Sequence, residues 1–178
     1  MSLPGGRWLE PGVGNGDIVR AVHAKRSDVR FVGIDKRTTK FIKNGSLHAK
    51  GDEYVVGDLL RPKVRVAQLL NGPQFDVAFG NPPYNIAPQV IDLCLKAAKV
   101  TALLLRLNYL SSEKRHALMR ATPPDIYVLP NRPSFTGTGS DSVEYAWFVF
   151  YPQQGARVAG KLRVLALTPR TERRGHSR

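Results

Sequence analysis

The chain alternates short apolar runs with amphipathic stretches, and this alternation is the feature that most limits its fold. Apolar runs rich in β-branched and aromatic residues predict five strands, at residues 7–11, 30–35, 53–58, 75–80 and 100–107. Helices are predicted at residues 17–25, 65–70, 88–99 and 113–121. Strands that alternate with helices form a mostly parallel sheet covered on both faces, so we expect an α/β domain.

Two more strand-like stretches follow, at residues 125–129 and 143–151, which brings the predicted sheet to seven strands. A loop rich in glycine, serine and proline joins them. After a last apolar stretch at 162–167, the tail 169–178 carries four arginines against one glutamate and reads as disordered when alone. We therefore expect one domain, residues 1–168, followed by a basic tail that could lie on a phosphate backbone.

The fourth predicted strand ends abruptly at Asn-Pro-Pro-Tyr, residues 81–84. Because proline fixes its own φ, the Asn81 amide oxygen and the Pro82 carbonyl form two neighbouring acceptors of fixed direction. Tyr84 supplies a flat face beside them. Two acceptors next to a stacking surface suit a planar group with an exocyclic amino group, such as adenine. The alternative interpretation is a proline-rich turn that merely ends a core strand.

A glycine-rich loop follows the first predicted strand, with Gly12, Gly14 and Gly16 alternating after Glu10. Glycine permits a positive φ and the close approach of a ligand to the backbone. The carboxylate of Glu10 argues against a pyrophosphate ligand and suits a ligand with a cationic centre. A loop of this kind is weak support for a site when it stands alone.

Three acids, Glu10, Asp35 and Asp58, stand at or beside the ends of predicted strands. The carboxyl ends of parallel strands meet at one edge of the sheet, where open α/β folds bind their ligands. Asp35 holds the position at which such folds bind the ribose hydroxyls of a nucleoside cofactor. The alternative interpretation of Asp35 is an ordinary aspartate in a turn. Three acids at the same edge of the sheet favour a ligand site more strongly than any one of them does.

The charge of the chain points to a polyanionic partner. Among 178 residues, 27 are Lys or Arg and 14 are Asp or Glu, which gives a net charge of +13. A field of this sign attracts nucleic acid, and binding of that kind weakens steeply with salt. No basic amphipathic helix with bulky apolar anchors and no long apolar run is found, so we do not expect a membrane partner.

The cysteine and histidine content limits two other classes of site. The single cysteine, Cys94, excludes an intrachain disulfide and is expected to be a buried apolar residue of a cytoplasmic protein. The four histidines are scattered without the spacing of metal ligands, so no metal site is expected.

Together, the glycine loop at 10–16 and Asn-Pro-Pro-Tyr at 81–84 resemble S-adenosylmethionine-dependent methyltransferases that modify N6 of adenine in DNA. The segment 132–148 resembles the small phage-type members in particular. The resemblance covers roughly residues 8–151 and implies a Rossmann-like methyltransferase sheet of seven strands, mostly parallel, that ends in an antiparallel pair. It implies S-adenosylmethionine as the cofactor and DNA as the substrate, with the target base flipped out of the duplex.

The resemblance also assigns roles to individual residues. Asn81, Pro82 and Tyr84 become catalytic, and Asp58 accepts a hydrogen bond from the amino group of the cofactor's adenine. The expected cofactor-binding residues are Glu10, Gly12, Gly14, Gly16, Asp35 and Asp58. Phe135 is expected to stack on the target base opposite Tyr84, with Arg132 beside it in the same loop. Trp147 is the alternative for that stacking role, although packing in the core is the favoured interpretation of Trp147.

Three other functions remain open at this point. Methylation of an RNA adenine needs no base flipping, because single-stranded RNA presents unstacked bases. A protein glutamine amide fits the same acceptors, but the strong basicity disfavours it. The chain could also be a catalytically silent nucleic-acid-binding subunit. Since we find neither the family's N-terminal helix nor its target-recognition domain, we expect relaxed specificity, weak retention of the cofactor in isolation, or a second copy or partner subunit that completes the site.

Overall fold

An eight-stranded sheet forms the centre of the computed structural model, which describes residues 2–44, 49–133, 142–152 and 160–165. The strands are β1 (Gly6–Pro11), β2 (Val29–Asp35), β3 (Glu53–Val56), β4 (Phe75–Gly80), β5 (Ala98–Arg106), β6 (Asp125–Val128), β7 (Tyr145–Phe150) and β8 (Leu162–Val164). Their spatial order is β3-β2-β1-β4-β5-β7-β6-β8. The first five strands are parallel, and β7 lies antiparallel between β5 and β6.

Helices cover both faces of this sheet. They are α1 (Asp17–His23), α2 (Lys40–Lys43), α3 (Val64–Leu70), α4 (Ala87–Ala97) and α5 (Glu113–Ala121), with short 3-10 helices at Tyr84–Ile86 and Leu107–Leu110. Adjacent residues of β1 show how the two layers arise, because side chains alternate between the faces of a strand. Trp8 packs with residues of α1 and α2, whereas Leu9 packs with residues of α3 and α4.

The order of the strands places a crevice beside β1. From β1 the chain moves outward through β2 and β3, then returns to form β4 on the opposite side of β1. A reversal of this kind separates the loops that leave the two central strands, and ligands of open α/β sheets bind in the crevice between them. The glycine-rich loop leaves β1 and Asn-Pro-Pro-Tyr leaves β4, so the fold brings these two segments to the same crevice.

The predicted α/β fold is confirmed, with a mostly parallel sheet and an antiparallel pair near the C-terminus. The prediction of seven strands is wrong by one, because β8 pairs in parallel with β6. β8 is only three residues long, which is shorter than the ~4–8 residues over which alternation marks a strand in sequence, and its Leu162 and Val164 are 70% and 72% exposed. The third strand ends at Val56 rather than Asp58, which places Asp58 in the following loop.

The described residues show the surroundings of Cys94 and the character of the helices and of the possible metal ligands. Cys94 is fully buried in α4, as expected. No helix among the described residues has the length and apolar character needed to cross a bilayer. In the same part of the chain, no group of three or more His, Cys, Asp and Glu side chains converges on a point. The predicted basic tail, 169–178, lies outside the described residues.

Candidate active site

A cleft of about 890 Å³ opens at the carboxyl edge of the sheet. Its walls come from the ends of four neighbouring strands, β1 to β4. Among its lining residues are Gly12, Asp35, Asp58, Asn81, Pro82 and Tyr84. The structure therefore brings together six residues that were singled out from the sequence, although they are spread over 73 positions of the chain.

The glycines of the loop after β1 have different surroundings. A Cβ on Gly12 would meet only Pro83 Cδ, at 3.9 Å, so the backbone of Gly12 is open to the cleft. Gly16, with φ of +76°, instead precedes α1 and lies against the buried ring of Phe41. A Cβ at Gly16 would stand 2.5 Å from that ring. Gly16 is thus required for packing, whereas Gly12 allows a ligand to approach.

Asp35 ties the end of β2 to the glycine loop. Its Oδ2 accepts a hydrogen bond from the Gly14 backbone N–H at 2.9 Å, and its Oδ1 accepts one from the Arg37 N–H at 2.9 Å. Asp35 is buried, with 6% of its surface exposed, and that remaining surface lines the cleft. Because each carboxylate oxygen has two lone pairs, Asp35 can hold the loop and still accept bonds from a ligand.

Glu10 lies beneath the loop rather than on the cleft wall. Its side chain is 1% exposed, and within the described residues its Oε2 has no hydrogen-bond partner. Burial, followed by the negative charges of Asp17 and Asp35, raises the pKa of Glu10 well above its usual range. Glu10 therefore favours the neutral acid, and its predicted contact with a cationic ligand stays a prediction.

Asp58 supplies a carboxylate to the wall of the cleft. The Leu60 backbone N–H donates to its Oδ1 at 2.9 Å, and Lys36 Nζ lies 3.2 Å from its Oδ2. The Leu60 hydrogen bond and then that with Lys36 lower the pKa of Asp58. These contacts favour the ionised form of Asp58, which can accept hydrogen bonds from a ligand.

Asn-Pro-Pro-Tyr turns from the end of β4 into the 3-10 helix at Tyr84–Ile86. Pro82 is buried, and its carbonyl accepts no hydrogen bond from the described residues. The Tyr84 hydroxyl donates to Asn81 Oδ1 at 2.9 Å. This contact fixes which end of the Asn81 amide carries the oxygen. The second lone pair of Oδ1 and the Pro82 carbonyl remain as acceptors.

The ring of Tyr84 is held by two residues that the sequence analysis missed. The Arg106 guanidinium lies over the ring, 5.0 Å from its centroid, and the Tyr145 ring lies 5.6 Å away at an interplanar angle of 39°. Desolvation, followed by the hydrogen bond with Tyr145, raises the pKa of Tyr84, so Tyr84 stays a neutral donor. Sequence patterns could not identify this pair, because it depends on the register between β5 and β7.

The two predicted substrate-binding residues have separate outcomes. Phe135 lies outside the described residues. Arg132 donates to Glu144 Oε1 through Nε at 3.0 Å and Nη2 at 2.5 Å, so the structure pairs it with a carboxylate at the other end of the loop. Trp147 stacks on Phe79 at 4.3 Å with an interplanar angle of 11°, which confirms the interpretation of Trp147 as a packing residue.

No protein-family model and no curated protein sequence matches the chain. Solved structures do share its fold. A protein from Listeria monocytogenes described as a class I S-adenosylmethionine-dependent methyltransferase superposes with a TM-score of 0.64 at 11% identity, over 92% of this chain and 60% of that one. The 23S rRNA methyltransferase ErmE gives a TM-score of 0.61 at 18% identity, over 89% and 64% of the two chains.

A third match is a dimethyladenosine transferase from Plasmodium falciparum, with a TM-score of 0.55 at 18% identity, over 83% of this chain and 55% of that one. The chain thus spans between 55% and 64% of the length of these three structures. Identities this low establish a shared fold and leave the activity to be argued from the site.

Proposed function

We propose that this chain transfers a methyl group from S-adenosylmethionine to N6 of adenine in nucleic acid, with DNA as the first candidate substrate. One observation carries the proposal: the Asn81 and Pro82 oxygens share a cleft with the glycine loop, Asp35 and Asp58. Methylation of an amino group requires two oxygens that accept hydrogen bonds from the target amine, beside a pocket that holds the nucleoside of the cofactor. The fold shared with class I methyltransferases supports the same chemistry.

The residues of the cleft fit S-adenosylmethionine, which supplies an electrophilic methyl group on a sulfonium centre. A volume of about 890 Å³ is within the range of small-molecule sites. Gly12 would let the cofactor approach the backbone, Asp35 would accept hydrogen bonds from the ribose hydroxyls, and Asp58 would accept one from the adenine amino group. The Gly14 N–H ties the loop to Asp35, and Glu10 is buried beneath the loop.

Asn81 and Pro82 would make the target amine reactive. The lone pair of an adenine amino group is delocalised into the ring, which makes the nitrogen a poor nucleophile. When both N–H groups donate to fixed oxygens, the nitrogen moves towards tetrahedral geometry and its lone pair becomes localised. The same oxygens stabilise the positive charge that grows on N6, so they act most strongly at the transition state. No strong base would be needed, because the methylated nitrogen is positively charged and would release one of its N–H protons to water once the bond between the methyl group and sulfur has broken.

Tyr84 would supply the stacking surface for the target base. Flipping a base out of a duplex costs a few kcal/mol, and stacking on an aromatic ring returns about 1–3 kcal/mol. The net charge of +13 adds attraction to the phosphate backbone. The resemblance of residues 81–84 and 132–148 to DNA adenine methyltransferases favours DNA.

RNA is the second candidate because a specific observation favours it. One of the similar structures, ErmE, is a 23S rRNA methyltransferase, and it matches over 89% of this chain. An unpaired adenine in RNA would reach Tyr84 without the cost of flipping. The acceptor chemistry at Asn81 and Pro82 is the same for both substrates, so only the polynucleotide differs.

The test uses tritiated S-adenosylmethionine with duplex DNA, single-stranded DNA, structured RNA and a protein extract. Label in DNA that appears as N6-methyladenine after nuclease digestion supports the first candidate, and label in RNA supports the second. Label in protein alone contradicts both. Binding of nucleic acid without any transfer would favour a silent subunit.

A matched pair of variants tests the carrying observation. Asn81→Ala removes one acceptor and should lower kcat by about 10²- to 10³-fold, while the affinity for S-adenosylhomocysteine stays unchanged. Asn85→Ala removes an exposed amide from the neighbouring 3-10 helix and should leave both quantities unchanged. Full activity in Asn81→Ala would refute the acceptor argument.

A further inference from the structure

We infer that the cross-strand pair Arg106–Tyr145 positions the Asn81 acceptor through the hydroxyl of Tyr84. The inference rests on the proposed function and deepens it. It assigns positioning roles to Arg106 of β5 and Tyr145 of β7, whereas Asn81 follows β4. It also gives Tyr84 a second task, since its hydroxyl acts on Asn81 while its ring remains the stacking surface.

The pair is formed where β5 ends and β7 begins. Arg106 and Tyr145 are direct partners in the antiparallel register of these strands, so their side chains project from the same face of the sheet. Both contact the Tyr84 ring, Arg106 as a cation 5.0 Å from its centroid and Tyr145 as a tilted ring at 5.6 Å. Tyr145 is 1% exposed, so the core fixes its place. The pair is thus a rigid support for Tyr84.

The hydroxyl of Tyr84 links the supported ring to Asn81. Tyr84 has one hydroxyl proton, and it donates that proton to Asn81 Oδ1 at 2.9 Å. Because Arg106 and Tyr145 hold the ring, they also hold its hydroxyl against the Asn81 amide. The direction of the bond runs from Tyr84 to Asn81.

This direction determines what Asn81 offers to a substrate. An asparagine amide carries an acceptor oxygen on one side and two N–H donors on the other. If the amide turned over, its donors would face the donors of the target amine, and transfer would fail. Because only the oxygen can accept from Tyr84, this hydrogen bond excludes the reversed amide.

Arg106 contributes through the ring of Tyr84. A guanidinium over an aromatic face attracts it electrostatically and holds its plane. Desolvation has the larger effect on the pKa of Tyr84 and raises it, whereas the positive charge of Arg106 acts to lower it. The charge of Arg106 thereby strengthens the Tyr84 hydroxyl as a hydrogen-bond donor. Arg106→Lys should therefore keep most of the effect, and Arg106→Gln should lose it.

The experiment compares Tyr84→Phe, Arg106→Gln, their double variant and the control Tyr127→Phe. Tyr127 is a buried tyrosine of β6 in the core cluster that contains Trp8, so its hydroxyl should be dispensable. For methyl transfer we expect Tyr84→Phe to lower kcat about 3- to 10-fold, the value of one hydrogen bond, and Arg106→Gln to lower it about 2- to 5-fold, the value of an exposed cation–π contact. KM should change less than twofold, and the double variant should be no worse than Tyr84→Phe alone.

Unchanged kcat in Arg106→Gln, or losses that multiply in the double variant, would overturn the inference while methyl transfer by the wild type still supports the proposed function. A second measurement is independent of activity. The side-chain amide NMR signals of Asn81, assigned through Asn81→Asp, should shift in Tyr84→Phe and in Arg106→Gln but not in Tyr127→Phe. If the wild type transfers no methyl group, the proposed function fails and these signals alone decide the inference. An unshifted Asn81 signal in Arg106→Gln overturns it.

Discussion

A single added methyl group at Gly16 tests how the glycine loop is packed. Gly16 has φ of +76°, a conformation that costs an L-residue about 1–2 kcal/mol. In Gly16→Ala the new Cβ would also stand 2.5–2.6 Å from three atoms of the Phe41 ring. Phe41 is buried and lies edge-on against Tyr54, with ring centroids 4.8 Å apart, so the ring cannot move aside freely.

The expected loss of stability follows from these two costs. Overpacking a core adds about 1–3 kcal/mol to the backbone strain, so Gly16→Ala should lose about 2–5 kcal/mol of unfolding free energy. In a domain of this size, each kcal/mol lowers Tm by about 2–4 °C. Urea unfolding followed by circular dichroism gives the free energy, and a thermal scan gives Tm.

Gly14→Ala is the matched control. Gly14 also has a positive φ, of +54°, but nothing lies within 4 Å of a Cβ built there. The variant keeps the N–H that donates to Asp35 and should lose only the strain, about 1–2 kcal/mol. Equal losses in Gly14→Ala and Gly16→Ala would refute the packing argument.

Three further predictions concern other buried groups. Asp35→Asn replaces one of the two oxygens that accept hydrogen bonds from the Gly14 and Arg37 backbone N–H groups. The Kd of S-adenosylhomocysteine, measured by calorimetry, should therefore rise about tenfold. An unchanged Kd would contradict the role of Asp35. Burial and the charges of Asp17 and Asp35 raise the pKa of Glu10 above 4.5. Above that pH the folded state keeps a proton that the unfolded state releases, so the stability of the wild type should fall as the pH rises. The Tm of Glu10→Gln relative to the wild type should accordingly increase from about pH 5 to about pH 8, and a constant difference would be the contrary result. Cys94 is inaccessible in α4, and burial raises the pKa of its thiol. A thiol reagent should therefore modify Cys94 only as the chain unfolds. Rapid labelling of the native protein would contradict this prediction.

Much of the fold and half of the cleft follow from the sequence, because both depend on local patterns. The alternation of strands and helices predicts a parallel sheet, and parallel strands bring their carboxyl ends to one edge. Residues that stand at those ends, such as Asp35 and Asn81, are therefore placed together by the pattern of strands and helices alone. Asp58 was placed correctly even though its strand ends two residues earlier.

The features that escaped prediction depend on contacts between distant segments. Arg106 and Tyr145 meet Tyr84 only because β7 pairs with β5 in one particular register, and no local pattern encodes that register. The individual surroundings of Gly12 and Gly16 were hidden for the same reason, since Phe41 approaches from α2, a helix that was not predicted. The edge strand β8 was missed because it is only three residues long, too short for a pattern to mark it.

The aromatic stack behind the cleft has a consequence for observing the molecule. Both tryptophans of the chain flank Phe79: Trp147 lies flat on its ring, and Trp8 contacts it at 5.3 Å. Phe79 belongs to β4, the strand that Asn81 directly follows. The intrinsic emission of the protein therefore originates next to the strand that presents the acceptor amide. Movement of that strand when a ligand enters can be followed in real time by ultraviolet fluorescence, without attaching a dye.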